Sequence, residues 1–183
     1  MAHVLAICGS LRKESFNRQL MRASMRLAPA DMTIKEAPSF AELPLYNFDI
    51  QQEKGFPKEA DTLSEAIRAA DGILIVSPEY NWSIPAPLKN AIDWLSRYKD
   101  VCFKDKPVAI QSAATGLLGG ARMHYHLRMS LQAVDAQLFG KPEVLVTFAA
   151  NKFEGGELKD PATIEMVKLQ LATFGKFIER VKA

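Results

Sequence analysis

Gly72–Ser77 (GILIVS), followed by Pro78–Pro85 (PEYNWSIP), is the stretch whose reading decides the fold. The first half is a short, unbroken apolar run rich in β-branched residues, the pattern of a strand covered on both faces in a parallel sheet. The second half is polar and aromatic and is bracketed by prolines as far as Pro87, so it forms a stiff, shaped loop rather than a slack link. Upstream, Ala60, Leu63, Ile67 and Ala70 recur at helical spacing, with Pro57 placed as a first-turn proline. Downstream, Leu88, Ile92 and Leu95 repeat the helical pattern.

The same alternation extends in both directions. His3–Cys8 reads as a strand ending at Gly9-Ser10, followed by a helix with Phe16, Leu20, Ala23 and Leu27 on one face. Met32–Ala37 is a second strand. Pro38 to Gly55 has no clear period. Val108–Ser112 is the fourth strand, and a helix carrying Met123, Leu127, Leu131, Val134 and Leu138 follows it. Glu143–Phe148 is the fifth strand, and a last helix starts near Pro161 with Ile164, Val167, Leu171, Phe174, Ile178 and Val181. Five strands alternating with five helices predict an α/β fold with right-handed crossovers and helices on both faces of a parallel sheet. Five strands fit the flavodoxin-like order 2-1-3-4-5 better than the six-stranded dinucleotide fold, and place a ligand crevice where strands one and three diverge.

At 183 residues, 48% hydrophobic and 24% charged, the chain is expected to form one domain over 1–183 with a core that needs no staples. A net charge of +2, without a basic block, argues against nucleic-acid and membrane-surface partners. Cys8 and Cys102 form no C-x-x-C or zinc-like cluster, and His3, His124 and His126 have no metal-binding spacing, so no metal is expected. With no signal-peptide pattern or membrane-length apolar run, a reducing cytoplasm is the expected compartment.

The segments leaving strands one, three and four carry the chemistry. Gly9–Arg18 joins a strand to a helix, where free backbone N–H groups favour an anion. Ser10, Ser15 and Asn17 add uncharged donors and Arg12 a planar cationic fork; Ser15 could equally be a plain N-cap. The G-K-[ST] ending and the G-x-G-x-x-G pattern are both missing, against ATP and against a Rossmann dinucleotide. The Pro78–Pro87 loop can hold backbone groups against a planar heterocycle, or its Tyr80 and Trp82 can simply cover the sheet edge. In Ser112–Gly120, three glycines permit close backbone approach to a ligand.

GSLRKESFNR (9–18), SPEYNWSIP (77–85), LKNAIDWLSR (88–97) and QSAATGLLGGAR (111–122) resemble the bacterial NADPH-dependent FMN reductase family, nearest its chromate reductase or quinone reductase branch, over Val4 to Val181. The resemblance implies an enzyme that passes electrons from NADPH or NADH through FMN to quinones or other small acceptors, with chromate and free flavin among the candidates. It implies an FMN phosphate site at Ser10, Arg12, Ser15, Phe16 and Asn17. It implies an isoalloxazine site along Pro78, Glu79, Tyr80 and Asn81, closed by Ser112, Ala113 and Gly116. No side chain is nominated as catalytic, because the cofactor carries the reaction. Ala86, where family members often have glycine, and Trp82, at a variable position beside the ring, depart from the pattern. The alternatives are a flavodoxin-like electron carrier, against which the near-neutral charge counts, and a redox-responsive flavoprotein. A homodimer or homotetramer is also expected, with Pro38–Gly55 and the Trp94/Tyr98 pair at the subunit interface and Tyr46 or Asp49 near a partner's flavin; alternatively, Pro38–Gly55 folds back over its own sheet edge.

Overall fold

The computed structural model describes residues 1–183. β1 (Ala2–Cys8) lies between β2 (Met32–Glu36) and β3 (Gly72–Val76), and β4 (Pro107–Ala113) flanks β3 on its other side, all in parallel. The order is 2-1-3-4-5, as the strand count predicts. β3 alternates as a doubly covered strand must: Ile73 and Ile75 enter one core, Leu74 and Val76 the other. The first core packs α3 (Lys58–Ala69), α4 (Ala86–Leu95) and α5 (Ala121–Gln132) around the fully buried Trp94. The second packs α1 (Phe16–Arg26) and α6 (Pro161–Lys182) around Phe174. Asp160 caps α6, its Oδ2 accepting the Thr163 N–H at 2.9 Å.

The fifth strand comes in two pieces, which corrects the sequence expectation. Gln137–Leu138 (β5) pairs with the start of β4, and Val144–Val146 (β6) with its end. The partner offset changes from 30 residues at Pro107↔Gln137 to 33 at Gln111↔Val144, so three extra residues loop out between the pieces. Pro142 lies in that loop and has no N–H for a ladder. Leu138 therefore belongs to the sheet edge and not to the preceding helix, which stops at Gln132; Asp135, with φ of 57°, turns the chain away.

The expected interface segment, 38–55, folds onto its own chain. Phe40 and Leu43 are buried in the first core. The Trp94 Nε1–H donates to Pro44 O at 2.8 Å, and the Asn90 side chain bonds both Pro44 O and the Tyr46 N–H. Trp94 is wholly enclosed and so cannot reach a neighbouring subunit, while the half-buried Tyr98 stacks on Phe56 of the same chain at 3.9 Å. The segment also contains α2 (Phe48–Lys54), which buries no residue and so shows no apolar stripe. A hairpin, β7 (Phe153–Glu154) and β8 (Glu157–Leu158), turns through two left-handed glycines, Gly155 and Gly156.

Candidate functional site

The three loops meet at the carboxyl ends of β1, β3 and β4, and specific contacts fasten each to the next. Gly9 abuts Ser77: its N–H donates to Val76 O at 2.9 Å, and a Cβ at Gly9 would sit 2.4 Å from Ser77 Oγ. Only glycine lets the strand ends come this close. The Asn17 side chain reaches across to β4, donating to Ala113 O at 2.9 Å and accepting the Ala113 N–H at 2.9 Å. Glu79 Oε2 accepts the Met123 N–H at 3.1 Å, tying the third-strand loop to the start of α5. That helix begins at Gly120 without a side-chain cap of its own, so Glu79 takes the place of one.

In the first loop, Ser15 is the N-cap of α1, its Oγ accepting the Asn17 N–H at 3.2 Å. The first-turn N–H groups of Phe16 and Arg18 are without an acceptor, and no acidic residue stands in that turn. This is the polarity an anion prefers. Ser10 is buried, and its hydroxyl accepts the Arg12 N–H at 3.3 Å. Arg18 grips the rear of the loop through Ser10 O while paired with Glu36. Arg12 itself is exposed and has no protein partner, so its guanidinium is available to a ligand. Phe16 packs half-buried on Phe153 at 5.4 Å.

The second loop is a two-residue hairpin turn. Tyr80 and Ser83 exchange both backbone hydrogen bonds, at 3.0 and 2.9 Å. Asn81 and Trp82 between them have φ of 49° and 67°, the primed-turn geometry that favours Asn-Gly and strains a tryptophan. The Trp82 ring lies 4.2 Å from the Arg122 guanidinium and Ser83 Oγ 2.9 Å from His126 Nδ1, so two residues one turn apart on α5 brace the hairpin. Pro78 is buried while Tyr80 and Asn81 face solvent. Ala86 opens α4 with an ordinary negative φ, so the absence of glycine there carries no strain.

In the third loop the sequence-nominated residues divide. Ser112 is fully buried and Ala113 is held by Asn17, whereas Gly116 is exposed. Further side chains that the sequence did not nominate stand on these loops: Leu11, Leu117 and Leu118, and Phe148 just after β6. All four are exposed, Leu117 by 70%. With Tyr80 and Trp82 they make an apolar rim at one end of the sheet, of a kind that marks a binding surface. Phe148 holds a left-handed φ of 49° and donates its N–H to Gly116 O at 3.2 Å. A bulky residue in that conformation was a signal only the backbone could give.

The site therefore offers free N–H groups and an unpaired arginine at one end, and backbone edges under an apolar rim at the other. A group with a phosphate tail and a flat ring fits this chemistry. Comparisons with known proteins agree. The family model described as NADPH-dependent FMN reductase matches residues 2–151. A quinone reductase of Escherichia coli (strain K12) is 49% identical over 181 residues, 98% of this chain and 96% of that protein. An NAD(P)H-dependent FMN reductase of Pseudomonas aeruginosa is 41% identical over 180 residues, covering 98% and 96%. Among solved structures, the flavoenzyme NAD(P)H:(acceptor) oxidoreductase FerB from Paracoccus denitrificans superposes with a TM-score of 0.88 at 30% identity, covering 98% of both chains. With this fold, this crevice and these matches across its length, the chain belongs to the NADPH-dependent FMN reductase family.

Proposed function

We infer that the protein is an FMN-dependent oxidoreductase, one domain over residues 1–183, that takes electrons from NADPH or NADH and delivers them to quinones or similar small acceptors. The observation that carries this reading is the fastening of three loops into one crevice that pairs an anion site with an apolar rim. A bound FMN would supply the hydride and electron chemistry. The chain's own groups bind and orient. The α1 N-terminus, Ser10, Ser15 and Arg12 receive the phosphate. The backbone of Pro78–Asn81 lies along the ring, and the exposed Gly116 segment closes its other edge. Asn17, Glu79, Ser112 and Ala113 act at one remove, holding these loops in register, and Phe16 seats the first of them on Phe153. The apolar rim admits a planar acceptor and excludes water. The purified protein should release FMN on denaturation and oxidise NADPH or NADH with a simple quinone. A protein that cannot be loaded with FMN overturns the reading, and one reduced only by a partner reductase is a carrier instead.

Arg12 tests the phosphate end. A charge-assisted hydrogen bond contributes about 1.5–3 kcal/mol, so Arg12→Ala should weaken FMN binding roughly ten- to a hundredfold. Because Arg12 has no protein partner, the unfolding midpoint of the flavin-free protein should not move. Equal FMN affinity in mutant and wild type would remove Arg12 from the site.

A homodimer or homotetramer remains part of this proposal, supported by the exposed Tyr125 and Met129 on α5 and by the exposed Leu45 and Phe48 within residues 38–55. Light scattering over a dilution series tests it, and a fully active monomer would reject it. No helix is long and apolar enough to cross a membrane. Two buried free thiols, Cys8 and Cys102, suit a reducing cytoplasm.

A further inference from the structure

His124 is the one buried histidine, and the reading above gives it no task. It sits in the first turns of α5 with Nε2 2.9 Å from Ser112 Oγ, and that oxygen is 2.5 Å from Gly119 O. Proton counting fixes the arrangement. The carbonyl only accepts, so the single hydroxyl proton of Ser112 goes to Gly119 O. The imidazole must then donate from Nε2 to Ser112 Oγ, which leaves Nδ1 as a bare nitrogen. Nδ1 is buried and has no partner. The pair is no nucleophile and base, because Ser112 is fully enclosed and its proton is committed to a carbonyl.

An aliphatic side chain of similar size would fill this space without burying an orphaned nitrogen, which is destabilising. What the histidine adds is one N–H to the Ser112 oxygen, which satisfies its acceptor side and leaves the hydroxyl proton aimed at Gly119 O. That hydroxyl holds the Gly119 carbonyl at the point where two successive left-handed glycines, with φ of 59° and 94°, pass the loop into α5. The turn is pressed against the same serine, since a Cβ on Gly120 would lie 2.7 Å from Ser112 Oγ. The direction of the Gly119 carbonyl sets how Thr115–Leu118 enters the helix.

We propose that His124 is a positioning residue of the FMN site, holding the Thr115–Gly120 loop against the ring edge through the Ser112 hydroxyl and the Gly119 carbonyl. The proposal rests on the assignment of that loop to the flavin. Burial, reinforced by the Arg128 charge, drives the His124 pKa down to about 3, so the required neutral imidazole is present throughout the working range.

The test is fluorescence titration of the full chain with FMN, alongside the visible spectrum of the bound flavin. His124→Leu removes the donor, His124→Gln retains an N–H near the Nε2 position, and Ser112→Ala removes the link. His124→Leu and Ser112→Ala should weaken FMN binding about three- to tenfold, the worth of one buried hydrogen bond, and alter the flavin spectrum. His124→Gln should stay within about twofold of wild type, a rescue that loss of packing alone would not produce. Unchanged affinity and spectrum in His124→Leu, or equal impairment in the leucine and glutamine variants, overturns the proposal. If His124→Leu does not fold, Ser112→Ala decides alone, and wild-type affinity there overturns it. Failure of the wild type to bind FMN overturns the flavin reading and this proposal with it, a result distinct from the others.

Discussion

Asn17→Ala is expected to destabilise the flavin-free protein by about 2–6 kcal/mol, because it strands both the N–H and the C=O of Ala113 in a buried setting at about 1–3 kcal/mol each. Asn17 is a buried side chain whose amide matches a backbone amide donor for acceptor, at 2.9 Å in both directions. Few replacements meet both demands. Asn17→Asp keeps an acceptor for the Ala113 N–H but sets carboxylate oxygen against carbonyl oxygen, so it too should destabilise. Urea unfolding without flavin is the measurement. A midpoint for Asn17→Ala that matches wild type would show that the contact does not hold the loops together. Paired with Arg12→Ala, the experiment separates two functions within one short segment. Arg12 should change affinity and spare stability, whereas Asn17 should lower both, since the phosphate loop loses its anchor on β4.

The second large effect is a loss of stability in mild acid. His124 is neutral in the folded protein down to a pKa of about 3, against an ordinary value of 6.5. Below pH 6.5 the unfolded chain binds a proton there that the folded chain refuses, so stability falls as pH falls and levels off only near pH 3. Each pH unit inside that window costs about 1.4 kcal/mol, so lowering the pH from 6.5 to 5 should remove about 2 kcal/mol. This range lies above the titration of Asp71 and Asp160, whose pKa values are lowered further by their partners: Lys182 and the His3 N–H for the first, Thr163 for the second. Urea midpoints at pH 6.5 and 5 should therefore separate in wild type and converge in His124→Leu. Equal slopes in the two proteins would mean that the imidazole is reached by protons in the folded state.

Physical pattern in the sequence was enough to determine the sheet order, the two helical layers and the three loops of the crevice. A strand such as Gly72–Val76, covered on both faces, must be apolar throughout, and helices such as α3 and α4 must carry a stripe. Those demands are local and leave periods that can be read. Elements without such demands escaped. α2 fully buries no residue and only Ile50 touches the core, so it has no stripe, although Asn47 as N-cap and Gly55 just beyond its end were available as signals. The FEGGEL hairpin was likewise marked by its glycine pair, Gly155-Gly156.

What only the tertiary structure decided is the division of labour among the site residues. Ser10, Arg12, Ser15 and Asn17 look alike as polar groups at a helix start. Whether such a group faces a ligand or a neighbouring strand depends on what lies opposite, and for Asn17 that is Ala113, 96 residues away. The same holds for Glu79, which caps α5, and for Ser112, which is enclosed with His124. It holds in reverse for Phe40, Leu43 and Trp94, whose apolar side chains suggested an interface and which are satisfied within their own core. Periodicity records how much of an element is buried; which distant group it is buried against is set only when the sheet assembles.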